Sequence, residues 1–235
     1  MMKIVAHRGH SAGNPENTVR AWQGAVAARS DLVEIDVRIS ADGRAVCCHD
    51  PDLLRLAGDP RCIADLTPDD LTALRTEHPG IVPDLAEAFA EVPGDTGLLL
   101  DVKDESPRSL DRLAAILEDA DLPGCVLGLH SVAALHRMAG LAPILALSPR
   151  GAEPGAFLAA GADILRLWEV DVVASHGSPG VPVWVTAGGA GTGRPVGDID
   201  ATDLRRLAGR GVAGVLVNDP AAARASLTPL PSDLT

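Results

Sequence analysis

Two carboxylates stand two residues apart in the run Leu32-Val33-Glu34-Ile35-Asp36-Val37. Residues i and i+2 of a strand share a face, so Glu34 and Asp36 point the same way. Two carboxylates this close in an apolar run cannot both stay ionised without a cation. A divalent metal with oxygen ligands satisfies them. Pairing with Arg38, two residues further along the same face, is the alternative. The run Gly97-Leu98-Leu99-Leu100-Asp101-Val102-Lys103 repeats the design, with Asp101 and Lys103 on one face. There a simple ion pair at a strand end is the alternative. His7 closes another apolar run and precedes Arg8-Gly9, and His49 closes a third and precedes Asp50-Pro51. Two histidines at strand ends, with an acidic strand between them in sequence, suit an acid and a base flanking a metal. His10, His78, His130, His136 and His176 lack such company along the chain. Arg8 and Lys103 add positive charge, and the set makes an anion site best suited to phosphate.

These residues need strands whose ends meet. Apolar runs mark strands at 3–7, 32–37, 45–49, 97–102, 125–129, 143–147, 163–167, 182–186 and 213–217. Most are continuous runs rather than alternations, as in strands covered on both faces of a parallel sheet. Helices are expected at 18–29, from Thr67-Pro68-Asp69-Asp70 onward, and at 84–92, 107–121, 131–139, 153–160, 169–176 and 201–209. Two of these begin with a capping hydroxyl before proline, at Thr67-Pro68 and Ser106-Pro107. The Gly-rich loop 187–198 is expected to be mobile, and the tail 228–235, with two prolines, to be flexible. Strand–helix alternation predicts a parallel α/β fold. A closed (β/α)₈ barrel and an open doubly wound sheet both fit the pattern. The ninth strand is one more than a barrel needs, and the link 38–44 is too short for a helix.

Composition narrows the function. The chain has 235 residues and a formal charge of −12, which argues against a nucleic-acid or anionic-membrane binder, since both need a basic face. Aromatic residues are 2% of the chain, too few for base-stacking platforms. No apolar run is long enough to span a membrane, and the N-terminal run is too short for a signal peptide. Cys47, Cys48, Cys62 and Cys125 match no zinc spacing and read as reduced thiols, and a cytoplasmic location is expected from the missing signal.

The same residues resemble the glycerophosphodiester phosphodiesterase family. His7-Arg8-Gly9 followed by Pro15-Glu16-Asn17-Thr18 is similar to the family's opening motif. Glu34-Ile35-Asp36 is similar to its Glu-x-Asp strand, and Asp42-Gly43 and His49-Asp50-Pro51 follow at the family's spacing. Val82-Pro83-Asp84-Leu85-Ala86-Glu87 resembles a Pro-Thr-Leu-x-Glu helix start, and Asp101-Val102-Lys103 falls where the family has Glu-x-Lys. Val183-Trp184-Val185-Thr186 and Gly211–Pro220 echo its last strands. The resemblance implies an irregular (β/α)₈ TIM-type barrel over residues 1–227, with a small insertion at 52–83 after the third strand. It implies hydrolysis of glycerophosphodiesters to glycerol 3-phosphate and an alcohol, using Mg²⁺ or Ca²⁺. Glu34, Asp36 and Asp101 would hold the metal, and His7 and His49 would be the acid and base. Arg8 and Lys103 would hold phosphate, Trp184 would line the substrate pocket, and Glu16 would support the site. A small-molecule partner is implied, without nucleic acid or stable membrane insertion.

Four positions depart from the family pattern. Asp101 replaces a Glu and shortens the ligand by one methylene. His130-Ser131 stands at a common Ser-Phe, Ala187 at a common Asn, and Asn218-Asp219 at Thr-Asp. Competing readings are a phosphodiesterase of the same fold acting on lysophospholipid or sphingolipid head groups, a metal-dependent barrel lyase or aldolase, and a binding protein without turnover. The lipid-directed enzyme would need an apolar rim, and the lyase would not need both histidines.

Overall fold

The computed structural model describes residues 1–120, 122–150, 154–172 and 180–228. Its first part runs β1 (Lys3–Ala6), α1 (Val19–Ala27), β2 (Leu32–Ile39), β3 (Ala45–Cys47), β4 (Asp52–Leu53), α2 (Leu54–Ala57), β5 (Asp59–Cys62), α3 (Pro68–Glu77) and α4 (Leu85–Glu91). Then come β6 (Gly97–Val102), α5 (Pro107–Glu118), β7 (Val126–Leu129), α6 (Val132–Met138), β8 (Ile144–Ala146) and α7 (Gly155–Ala159). The chain continues through β9 (Ile164–Trp168), β10 (Val183–Thr186), α8 (Ala201–Gly209), β11 (Gly214–Val217) and α9 (Pro220–Leu227).

The strands order as β1-β11-β10-β9-β8-β7-β6-β2, and β1 also pairs with β2, so eight parallel strands close into a barrel. This decides between the closed barrel and the open sheet. The ninth strand, β3, runs antiparallel to β2 and is a hairpin partner rather than a stave. Its turn uses Gly43 at φ +83, and Gly43 N donates to the Ser40 carbonyl at 3.0 Å. Glycine adopts that left-handed conformation at little cost.

Alternation along the strands sorts side chains into two sets. Val33, Ile35, Val37, Leu98 and Leu100 face outward under the helices, whose inner faces supply Trp22, Leu85, Leu110 and Leu135. Val5, Leu32, Leu99, Val126, Leu145, Leu147, Trp184 and Leu216 fill the interior. Trp184 fits there because Gly214, its register partner, has no side chain: a Cβ on Gly214 would lie 2.8 Å from the indole. The next inward positions toward the C-terminal strand ends are polar, and barrel sites form at that end.

Helix starts follow local chemistry. Thr67 and Asp70 form a reciprocal capping box ahead of α3, with Pro68 in the first turn. Ser106 Oγ accepts from Ser109 N ahead of α5. Residues 52–83, between β3 and α4, hold β4, α2, β5, a 3₁₀ turn at Ile63–Asp65, and α3. Leu53, Ile63, Leu66, Leu71, Leu74 and Val82 pack there against Val46 and Cys48.

Some expectations differ. The β4–β5 hairpin, α2 and α9 were not anticipated. Of the helix expected at 169–176, a 3₁₀ turn at Glu169–Asp171 forms, and 173–176 lie outside the described residues, as do 229–235 of the tail. The loop 187–198 is tied down: Arg194 pairs with Glu169 and Asp203, and Gly188 N donates to Glu169 at 2.8 Å. The four cysteines are free. Among the described residues no helix is long and apolar enough to cross a membrane.

Candidate active site

β2 and β6 are neighbours in register, with Asp36 opposite Asp101. Their inward carboxylates therefore meet. Ligand oxygens of Glu34, Asp36 and Asp101 lie within 4.8 Å of one another, and Glu34 and Asp36 are buried. Glu34 Oε1 has no hydrogen-bond partner. A buried carboxylate oxygen left open among three carboxylates is the donor set a hard divalent cation takes.

Cations brace this cluster. Lys103 Nζ lies 2.6 Å from Asp101 Oδ2 and 2.9 Å from Asp36 Oδ1. Arg8 follows β1 in the left-handed region, at φ +57. That turn lets its main-chain N donate to Glu34 Oε2 at 2.6 Å while its guanidinium reaches Asp36 and Glu16. Gly9 completes the turn, since a Cβ there would fall 2.6 Å from the Ala21 backbone. Asn17, also left-handed at φ +53, clasps Asp36 twice: its Nδ2 donates to Oδ2 at 2.7 Å and its Oδ1 accepts from Asp36 N at 3.1 Å. Such backbone strain gathers where function over-determines geometry. Arg38 does not pair with Glu34 or Asp36; it donates to the His49 carbonyl.

The charges settle unevenly. Burial, then Asp36 and Asp101, push the Glu34 carboxyl well above its ordinary range. Burial is the largest influence on Asp36 and Asp101 and would raise both, but Lys103 with Arg8 at Asp36, and Lys103 with His130 at Asp101, together hold both below the ordinary value, so both stay ionised. Burial opposes the Lys103 ammonium, yet Asp101 and Asp36 hold it above its ordinary value. Without a metal, Glu34 is thus the carboxyl that takes a proton.

The two histidines are held differently. Burial and Arg8 push His7 below its ordinary value, which keeps it neutral. Its Nδ1 lies 2.8 Å from Asn218 Oδ1. Asn218 Nδ2 donates to Asp198 and to the Val196 carbonyl, which fixes its oxygen toward His7. His7 Nδ1 must therefore carry the hydrogen, leaving Nε2 as the basic nitrogen. His49 Nδ1 pairs with Asp50 at 2.7 Å. Arg55 bridges Asp50 and Glu16, which ties α2 to the opening loop. Arg55, and secondarily His49, bring Asp50 down to about 2. A cavity of about 220 Å³ beside His49 is lined by Glu16, Asn17, His49, Arg55 and Val82, among others.

The structure thus brings His7, Arg8, Glu16, Glu34, Asp36, Asp101 and Lys103 together, with His49 next to Cys48, whose N donates to the Asp36 carbonyl at 3.0 Å. Trp184 stands apart, 3% exposed among apolar side chains of the interior; the tryptophan at a C-terminal strand end is Trp168. His130 is not without company: its Nε2 lies 2.7 Å from Asp101 Oδ1. Asn17, His130, Arg166 and Asn218 belong to the site surroundings; in the sequence Asn17 stands out only within the opening motif, His130 and Asn218 only as departures from the family pattern, and Arg166 not at all. Inward parity on their strands could have flagged the last three.

The sequence model of the Glycerophosphoryl diester phosphodiesterase family matches residues 7–118. Over that segment, just under half of its length, the chain is similar to this family. The matched segment carries every candidate site residue except Trp184. The "Probable glycerophosphodiester phosphodiesterase 1" of Mycobacterium tuberculosis is 34% identical over 122 residues, 51% of this chain and 39% of that protein. The chain spans less than half the length of this relative. Among solved structures, a glycerophosphodiester phosphodiesterase from Thermotoga maritima superposes with TM-score 0.77 at 24% identity, covering 94% of this chain and 96% of that one. An Oleispira antarctica phosphodiesterase, solved with the product sn-glycerol-3-phosphate, gives TM-score 0.78 at 21% identity over 96% of each chain. At these identities the structural likeness establishes the barrel fold.

Proposed function

We propose that the chain hydrolyses glycerophosphodiesters to glycerol 3-phosphate and an alcohol, with a divalent cation, Mg²⁺ or Ca²⁺, held by Glu34, Asp36 and Asp101. The observation that carries this is the convergence of three carboxylates, two cations and two strand-end histidines at one barrel mouth. When bound, the cation supplies charge stabilisation to the phosphoryl oxygens. Arg8 and Lys103 sit beside the same carboxylates and would orient the phosphate. His7 Nε2, basic and neutral, takes the proton of the attacking hydroxyl, from water or the substrate itself. His49, oriented by Asp50, is left to protonate the departing alkoxide. Glu16 holds Arg8 and Arg55 in place.

The test is product release from a panel of glycerophosphodiesters with choline, ethanolamine, glycerol and inositol arms, using chelator-stripped protein given Mg²⁺, Ca²⁺ or nothing. Metal-dependent glycerol 3-phosphate is the expected outcome. Binding without turnover on every member would point to a non-catalytic protein and to Asp101 as the cause.

One observation bears on a second reading, action on lysophospholipids. Besides Met1, the exposed large apolar side chains among the described residues are Leu54, Val170 and Val196, which follow β4, β9 and β10. A lipid interface would need such side chains gathered into one patch. A lysophospholipid in the same panel separates the two, since activity on it alone selects the lipid-directed enzyme.

A further inference from the structure

Arg166 points into the barrel from β9, opposite Trp184 in register. It is 6% exposed, yet its Nε and Nη1 have no hydrogen-bond partner. Its one polar contact among the described residues is a long one, Nη2 to the Ser148 carbonyl at 3.4 Å. The other cations of the mouth are answered differently: Arg8, Lys103 and Arg55 each meet carboxylates within 3.1 Å. Arg166 lies over the ring of Trp168, 4.4 Å from its centroid, and the buried Trp168 Nε1 is also without a partner. Burial lowers the guanidinium to about 10, which leaves it charged at neutral pH.

An unpaired buried charge is costly unless something pairs it. Two stacked side chains here offer three buried donor nitrogens and no acceptor. The complement of such a set is an oxyanion, and a guanidinium matches a carboxylate or phosphate through two parallel bonds. The stack on Trp168 fixes the guanidinium plane in advance. The phosphodiester itself belongs on the other side of the mouth, with Arg8, Lys103 and the carboxylates of β2 and β6. Glycerol carries no charge for Arg166 to meet, which leaves the alcohol arm of the substrate.

Resting on the phosphodiesterase reading above, we propose that Arg166 and Trp168 form a specificity site for a carboxylate or second phosphate on the alcohol arm of the substrate. Arg166 binds this group and takes no part in the proton transfers.

The test compares the metal-loaded wild type with Arg166→Met and Arg166→Lys. Substrates are glycerophosphoglycerol (neutral arm), glycerophosphocholine (cationic arm), glycerophosphoserine (carboxylate) and glycerophosphoglycerol phosphate (second phosphate). The wild type should prefer one or both anion-bearing arms, and which one names the anion. Arg166→Met should lower kcat/KM for the preferred arm by about 10- to 100-fold, the range of a charge-assisted pair, with the neutral arm nearly unchanged. Arg166→Lys, which keeps charge but loses the fork, should fall between. Arg166→Met should also raise the Tm of the ligand-free protein, because it removes an unanswered charge; a structural arginine would lower it. An equal loss on every substrate, a wild-type preference for choline, or unchanged selectivity in Arg166→Met overturns the proposal. Should the wild type turn over none of the panel, the phosphodiesterase reading fails separately. Quenching of tryptophan emission by the anion-bearing compounds then decides: Arg166-dependent quenching sustains the anion site, and its absence overturns it.

Discussion

Replacing Glu34 with Gln tests the charge logic of the site. In the metal-free protein Asp36 and Asp101 are ionised, Arg8 and Lys103 balance them, and Glu34 keeps its proton because burial and both aspartates oppose its charge. A divalent cation reverses this, since Glu34 must then ionise to serve as a ligand. Metal binding should release close to one proton between the ordinary Glu value of 4.5 and the raised value in the folded protein. By linkage, affinity should improve up to tenfold per pH unit as pH rises through that window, or about 1.4 kcal/mol per unit. The same raised value makes a second prediction of sign. Glu34 stabilises the metal-free fold fully below 4.5, and that contribution fades as pH rises through the folded value. Glu34→Gln mimics the protonated carboxyl. It should bind metal weakly, with the pH slope gone, and its metal-free Tm should lack the wild-type decline. Isothermal titration with Mg²⁺ and Ca²⁺ in buffers of different ionisation heat reads both the affinity and the proton count. A pH-independent wild-type affinity, or an unchanged slope in the variant, would refute this account of the cluster.

Further outcomes are expected. His7→Ala and His49→Ala should each lower kcat by about 10²–10⁴ with unchanged folding, the range of acid–base groups; wild-type turnover by both would remove the assignment. The acid limb of the kcat/KM profile should lie below 6.5, because burial and Arg8 depress His7 and activity needs its neutral form; a limb above that value would contradict it. Asp36→Asn should weaken metal binding, and a titration with unaltered affinity would strike Asp36 from the ligand set. Gly214→Ala should cost about 1–3 kcal/mol by overpacking against Trp184, and Trp184→Leu should recover part of the lost Tm; if the alanine alone is neutral, the interior is looser than described.

The fold was legible where burial is two-sided. All nine apolar runs became strands, eight as the parallel staves that a barrel covered on both faces demands and one as the antiparallel partner of β2. What spacing could not tell was that Ala45–Cys47 runs backward along β2, since a short apolar run carries no direction. α9 was missed although Asp219-Pro220 is a cap-and-proline start, because alanines give its following turn a weak apolar face. In the site, Glu34, Asp36, Asp101 and Lys103 were legible from i, i+2 parity on two strands. His130 and Asn218 continue the inward parity of β7 and β11, but the partners they meet were not legible, because those lie far away in sequence: Asp101 is 29 positions from His130, and His7 is 211 from Asn218. Trp184 followed a resemblance in sequence, while its place was decided by the space that Gly214 leaves.

The closure of β1 onto β11 lets the chain divide near its middle into a three-strand and a five-strand piece of the barrel, meeting at two seams. Cut in the link between α5 and β7, the first half would carry the proposed metal ligands and both histidines, yet expose raw strand edges at β1 and β6. The second half exposes the matching edges at β11 and β7. Unpaired edges seek partners, and here each fragment offers the other what it lacks. The His7–Asn218 bond crosses one seam and the His130–Asp101 bond the other, so fragment complementation would rebuild the geometry as well as the sheet. A chain built this way can remodel the half that bears Arg166 and Trp168 while leaving the carboxylate cluster in the other.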